Sequence, residues 1–402
     1  MRKITFCFSI FCAVLTGENI LKAQYVGPAP AHVIVVMEEN YSYKTIIGNS
    51  LAPCLNALAK DTSITANMTL ATAIMHPSEP NYLDLFSGTN HGVVTDLSGP
   101  APNAPFNDCN LGSSIIQAGK TFIGYSEDQP SVGWYQGDAG NYYTKHCPWI
   151  NWIGYGVPAP YDSVPIASDL PMFPLGTYFP DSNHYSNLPT MTWVIPNSVD
   201  DMHDGTAPTA IPNGDNWFKK NMMPLVRWVA NPANNAVIIV IWDEDDYASG
   251  SPSNHIPLFI VGGIVKGGSY GQAVNHYSVL RMMEEMYGLP ECGSSATANE
   301  VPSAIWKAAV GINSIAGITN KVITWPVPAK DELKMAITSV AEGRATIGLY
   351  DITGRMVKQM TTDLKSGDNN VVVNTGDISN GIYFLNIVWE KMNVCQKIIV
   401  SK

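Results

Sequence analysis

The chain has 402 residues, 46% of them hydrophobic and 14% charged, a balance that specifies a sizeable buried core and excludes a disordered chain. That length accommodates one large domain and a small one. The formal net charge of -11, with no basic run, argues against nucleic acid as a partner and against non-specific binding to anionic lipid.

Residues 1–24, "MRKITFCFSIFCAVLTGENILKAQ", read as a signal peptide. Arg2 and Lys3 precede an apolar stretch from Ile4 to Leu15 that is too short to span a bilayer, and Ala23-Gln24 can end the segment. Export through the periplasm is therefore expected, to a secreted or cell-surface location. Cys7 and Cys12 leave with this segment, while Cys54, Cys109, Cys147, Cys292 and Cys395 remain. Export permits disulfides, and the sequence leaves both their pairing and the alternative of free buried thiols open.

From Val33 to about Ile315, within a large domain expected over residues 25–321, the texture alternates. Apolar β-branched runs, "HVIVVM" (32–37), "TFIGY" (121–125), "TMTWVI" (190–195), "AVIIVIW" (236–242) and "PLFIVGG" (257–263), predict buried strands. Between them, "APCLNALAKD" (52–61), "EPNYLDLFSG" (79–88) and "YSVLRMMEEMYG" (277–288) predict helices. The fold class is α/β, a mainly parallel sheet covered by helices. Residues 133–185, rich in Pro, Gly, Tyr and Trp, read as an irregular insertion. Residues 322–332, with Pro326 and Pro328, read as a linker. Residues 333–402 carry short strands with Gly, Asp and Asn turns, a small all-β sandwich whose inward set is expected to be Ile347, Leu349, Val371, Val373, Tyr383, Leu385, Ile387 and Ile399.

Three predicted strands end in polar clusters. "HVIVVM" runs into Glu38-Glu39-Asn40, "TMTWVI" into a segment holding Asp200, Asp201, His203 and Asp204, and "AVIIVIW" into Asp243, Glu244, Asp245 and Asp246. Ligands bind outside the carboxyl ends of parallel strands, and parallel strands bring all three clusters to one edge. So many carboxylates together repel unless a cation lies among them. Oxygen ligands with a few histidines suit a hard or borderline divalent ion; a solvated acidic rim is the bland alternative. Ser78 adds a task for the ion. It stands at the start of a predicted helix, in the N-cap position, with Glu79 and Pro80 in the first turn. A helix N-terminus suits a phosphate, and a serine bound to a metal can lose its proton and attack phosphorus. The alternative is a serine that only caps its helix.

"HVIVVMEENYSY", "HPSEPNYLDLFSG", "IGYSEDQP", "KHCPW", "PNSVDDMHDG" and "WDEDD…NHIPLFI" resemble, in order over about residues 31–290, the bacterial phosphoesterase family of acid phosphatases and non-specific phospholipases C, within the alkaline phosphatase superfamily. The resemblance implies a divalent metal, one or two ions per site, held by Glu39, Asn40, Ser78, Asp243 and Glu244. It implies Ser78 as nucleophile, with Asn81 donating to a phosphate oxygen. It implies that His203 and His255, with Asp201 nearby, hold phosphate or a second metal and help the leaving group, and that Lys145 and His146 line the pocket. Glu38, Asp245 and Asp246 are expected at the second shell or rim. The implied activity is hydrolysis of phosphomonoesters through a phosphoserine. The runner-up is a phospholipase C-type diesterase acting on phospholipid headgroups, to which Trp134, Tyr135, Trp149, Trp152 and Tyr155 would lend apolar contacts. A metal- or glycan-binding surface protein is the non-enzyme alternative. The tail, "LYDITGRMV", "SNGIYFLNI" and "QKIIVSK", resembles the C-terminal sorting domain of the type IX secretion system, which implies that machinery as a partner.

Overall fold

The computed structural model describes residues 25, 27–154, 162–248, 250, 253–307, 321–339, 342–389 and 392–402. Residues 1–24, expected to be a signal peptide, Tyr155 and the side chain of Cys395 lie outside this set. The chain divides into two compact units, residues 1–308 and 309–402, each with its own apolar core.

In the first unit the strands are β1 (His32–Glu38), β2 (Thr65–Thr72), β3 (Phe122–Ser126), β4 (Asp169–Pro171), β5 (Met191–Ile195), β6 (Ala236–Trp242), β7 (Leu258–Val261) and β8 (Gly268–Asn275). The helices are α1 (Tyr43–Ile46), α2 (Pro53–Ala59), α3 (Ser78–Ser87), α4 (Leu111–Gln117), α5 (Ala207–Trp217), α6 (Met223–Val229) and α7 (His276–Tyr287). One sheet runs in the order β4-β3-β5-β1-β6-β7-β2-β8. Every residue of β5 and β6 is buried, as a strand covered on both faces requires, and this is why both read as unbroken apolar runs.

The sheet is not wholly parallel: β7 pairs antiparallel with both β6 and β2. Two reversals return β2 to the direction of β6, so β1, β2, β5 and β6 all end on one edge. β2 and β8 escaped the sequence reading because β8, an edge strand, is largely exposed and β2 mixes small and polar residues with apolar ones. A disulfide joins Cys109, just before α4, to Cys292, after α7; among the described residues Cys54 and Cys147 are free thiols.

The second unit has β9 (Lys321–Trp325), β10 (Glu332–Ser339), β11 (Gly343–Asp351), β12 (Met356–Leu364), β13 (Gly367–Asn374), β14 (Gly381–Trp389) and β15 (Met392–Val400). They form a sheet β13-β10-β9 and a sheet β12-β11-β14-β15. The stretch expected as a linker thus contains most of β9, which pairs antiparallel with β10. The expected inward set holds except at its end, where Ile398 and Val400 are buried and Ile399 faces out. With a period of two, one residue of register decides the face.

Candidate active site

The site begins where β2 passes through a short loop into α3, a helix buried at all ten positions. Pro77 is the N-cap and Ser78 the first helical residue, so the Ser78 side chain is not spent on capping. Its hydroxyl donates to Glu39 Oε2 at 3.1 Å and lies 3.5 Å from Glu244 Oε1. Asn81, one turn on, fixes the loop. Its Oδ1 accepts the N–H groups of Ile74 and Met75, each at 3.1 Å, and its Nδ2 donates to Met75 O at 2.8 Å and to Glu244 Oε2 at 3.4 Å. Asn81 therefore holds the backbone that aims Ser78.

Glu39 and Asn40 follow β1, and Asp243 and Glu244 follow β6, the strand beside it. Asn40 sits at φ 54°, and this left-handed turn lets its N–H donate to Asp243 Oδ1 and its Nδ2 to Glu39 Oε2, both at 3.0 Å. Glu39 and Asp243 are fully buried, Ser78 and Glu244 nearly so. Burial pushes Glu39 well above the ordinary carboxylate range, and the nearby Asp243 charge adds to this. The same causes raise Glu244 to about 9, while Asp243, raised by burial, is held to about 6 by hydrogen bonds that include the Asn40 N–H.

A second arm of the site comes from the insertion and from the loop after β5. His146 stacks on Tyr82, with Nε2 3.1 Å from Glu39 Oε1 and Nδ1 3.3 Å from Asp201 Oδ2. Burial, then the charges of Lys145 and His203, drive its pKa well below normal, so its ring is neutral. Tyr82 donates to Glu39 Oε1 at 2.5 Å. His203 has Nδ1 2.8 Å from Asp204 Oδ1 and Nε2 3.1 Å from Lys145 Nζ, and its N–H donates to Asp201 Oδ1 at 2.7 Å. Lys145 reaches Asp96 Oδ2 at 2.7 Å. Burial weakens its hold on the proton, but Glu39 and Asp96 outweigh that and keep it charged.

The structure thus gathers Glu39, Asn40, Ser78, Asn81, Lys145, His146, Asp201, His203, Asp243 and Glu244. The His255 ring stacks on Tyr43, with Nε2 3.0 Å from Thr69 O. Glu38 is no rim residue but fully buried, as is Asp245 to 3% exposure. Asp246 accepts from the Ser42 N–H and the Thr45 hydroxyl, tying down the turn after β1. Trp149 and Trp152 are core residues, with Trp149 donating to Asp169, so they offer a lipid no surface. Sequence reasoning missed Tyr82, Asp96 and His76. The His76 ring lies between Glu244 Oε2, at 2.9 Å, and Asp245 Oδ1, at 3.2 Å, and stacks on the exposed Tyr247. "HPSEPNY" held the signal for two of these, since a histidine and a tyrosine flank the serine within one turn of it.

The donor set fits a divalent ion. Asp243 Oδ2 is buried without a hydrogen-bond partner among the described residues, which an ion would satisfy. Ligand atoms of Glu39, His146 and His203 all lie within 4.8 Å of one another. Glu39 faces Ser78 with Oε2 and His146 with Oε1, so it belongs to both the carboxylate group and the histidine group. Oxygen with imidazole suits a hard or borderline metal.

The Phosphoesterase family pattern matches residues 50–290, and that of a secretion system C-terminal sorting domain matches residues 324–401. A phosphatidylinositol-3-phosphatase of Mycobacterium tuberculosis is 39% identical over 321 residues, covering 76% of this chain and 96% of that one. A phosphate-repressible acid phosphatase of Penicillium chrysogenum is 27% identical, covering 60% of this chain and 55% of that one. Among solved structures, a protein in the alkaline phosphatase superfamily from Vibrio parahaemolyticus is similar at TM-score 0.45 and 9% identity, over 87% of this chain and 80% of that chain.

Proposed function

The chain belongs to the phosphoesterase family, is a hydrolase of phosphoester bonds that is secreted or attached to the cell surface, and on that premise we propose that it cleaves phosphomonoesters through a phosphoserine at Ser78. The observation that carries the reading is the Ser78 hydroxyl, free of capping duty at the start of a buried helix and directed at the carboxylates of Glu39 and Glu244.

Glu39, Asn40, Asp243 and Glu244 would hold a divalent ion, with Glu39, His146 and His203 as a second ligand group. When bound it supplies Lewis-acid charge that acidifies the serine hydroxyl and relieves the crowded carboxylates. The chain's own residues do the rest. Glu39 Oε2 accepts the hydroxyl proton. The Glu79 N–H in the first turn of α3 and the Lys145 ammonium receive the phosphate oxygens. Ser78 Oγ forms a bond to phosphorus as the ester oxygen leaves in line. The Lys145 ammonium, positioned by His203 Nε2 with the Nδ1 side of that ring held by Asp204, gives a proton to that oxygen and regains one from the water that cleaves the phosphoserine. Asn81 keeps the serine loop in place throughout.

The name of the mycobacterial relative makes a phosphomonoester on an inositol ring the first substrate to try, and this is a candidate for the present chain. The diester alternative gains nothing from Trp149 and Trp152, which are buried. The test is turnover of p-nitrophenyl phosphate, phosphatidylinositol 3-phosphate and phosphatidylcholine by the metal-loaded protein. Release of phosphate from the first two is expected. Cleavage of phosphatidylcholine alone would make it a diesterase, and no turnover of any ester would end the proposal.

A further inference from the structure

The loop between α3 and α4 carries an anion into the site. Asp96 lies on an exposed stretch with Val94 and Thr95, yet its carboxylate is engaged at both oxygens. Oδ1 accepts the Glu79 N–H at 3.0 Å, and Oδ2 lies 2.7 Å from Lys145 Nζ. These are the kinds of donor a phosphoryl group on its way to Ser78 needs: the N–H of the residue after the serine and a lysine ammonium.

We propose that Asp96 is an internal competitor of the substrate phosphate, filling its two donors in the resting enzyme and turning outward when a phosphoester enters; this rests on the phosphomonoesterase reading above. The Asp96 side chain is 34% exposed, so rotation about its own bonds delivers the carboxylate to water without opening the core. The backbone beside it need not move. The Leu97 N–H donates to Glu79 Oε2 and the Gly99 N–H to Thr144 Oγ1, each at 2.7 Å. Lys145 does not depend on Asp96 alone, because Nζ also lies 3.1 Å from His203 Nε2. The ammonium therefore keeps a partner when the carboxylate leaves, and a phosphate arriving with more charge than a carboxylate takes its place.

The experiment compares Asp96→Ala and Asp96→Asn with the unaltered, metal-loaded full chain, using inorganic phosphate as a competitive inhibitor of p-nitrophenyl phosphate hydrolysis. In Asp96→Ala the phosphate Ki and the KM should fall in step by about tenfold, equivalent to about 1.4 kcal/mol, with the effect in KM rather than kcat. Asp96→Asn, which keeps an acceptor for the Glu79 N–H but no charge for Lys145, should show a smaller fall. A Ki that is unchanged or raised in both variants overturns the proposal and makes Asp96 a positioning residue for Lys145. Should the unaltered protein hydrolyse no phosphomonoester, the proposed function fails separately. Calorimetric titration with inorganic phosphate then still decides this inference: tighter binding to the variants supports it, and equal or weaker binding overturns it.

Discussion

Replacing Ser78 by alanine separates chemistry from structure at this site. The hydroxyl caps nothing, since Pro77 is the N-cap and no side-chain cap bond is made. What is lost is one hydrogen bond to Glu39 at 3.1 Å and a marginal one to Glu244 at 3.5 Å. Both carboxylates keep other donors, Asn40 Nδ2 at 3.0 Å and Asn81 Nδ2 at 3.4 Å. The stability cost should therefore be about 1 kcal/mol, a fall in Tm of about 2–4 °C. Turnover should fall far more. A reaction that has lost its nucleophile keeps only binding and electrostatic help, so kcat should drop by about 10⁴-fold or more, about 5.5 kcal/mol at 1.36 kcal/mol per decade. The assay is p-nitrophenyl phosphate hydrolysis at matched metal content, with acid-quenched unaltered enzyme mapped for a phosphoryl group on the peptide containing residue 78. A variant within tenfold of the original kcat, with unchanged metal content and no labelled peptide in the parent, would refute the covalent route.

Chelation should abolish activity and divalent metal restore it, with Asp243→Asn weakening metal binding and turnover together; full activity in a sample shown by elemental analysis to lack metal would contradict this. Metal affinity should weaken as pH falls. Glu39 and Glu244 are raised in the metal-free site, Glu244 to about 9, so they hold protons that the ion must displace, and calorimetry in two buffers below that pH should register proton release. Breaking the Cys109–Cys292 bond by Cys109→Ser should cost about 5 kcal/mol, as the chain-entropy relation gives for a sequence separation of 183; a loss under about 1 kcal/mol in urea unfolding would show that the unfolded chain gains little freedom. Ending the chain after Lys307 removes the second unit with its own core and no residue of the site. That protein should remain folded and active on purification and collect in the periplasm of the native host, and loss of activity would place the second unit in the catalytic machinery.

The strands of the first unit were legible wherever burial on both faces forces an apolar run, as in β1, β5 and β6, and so were the acidic residues that crowd their ends. Ser78 stood out because a serine opening a buried helix beside acidic strand ends is a local pattern. Local patterns also gave the β-rich tail. The tertiary structure alone decided what depends on pairing across the chain. The order of the strands and the reversal of β7 set which clusters meet. The polar composition of β8 hid an edge strand, because an edge needs no apolar face toward solvent. Asp96 joins the site by contacts 17 residues from Glu79 and 49 from Lys145, and no spacing along the chain encodes them. Glu38 and Glu39 are neighbours in sequence, yet only Glu39 meets Ser78, since successive residues leave a strand on opposite faces. The sequence by itself determined which residues strands and helices must bury and which chemistry stands at their ends. Packing determined which of those ends share one pocket, because side-chain direction and long-range pairing are settled only when the sheet closes around its core.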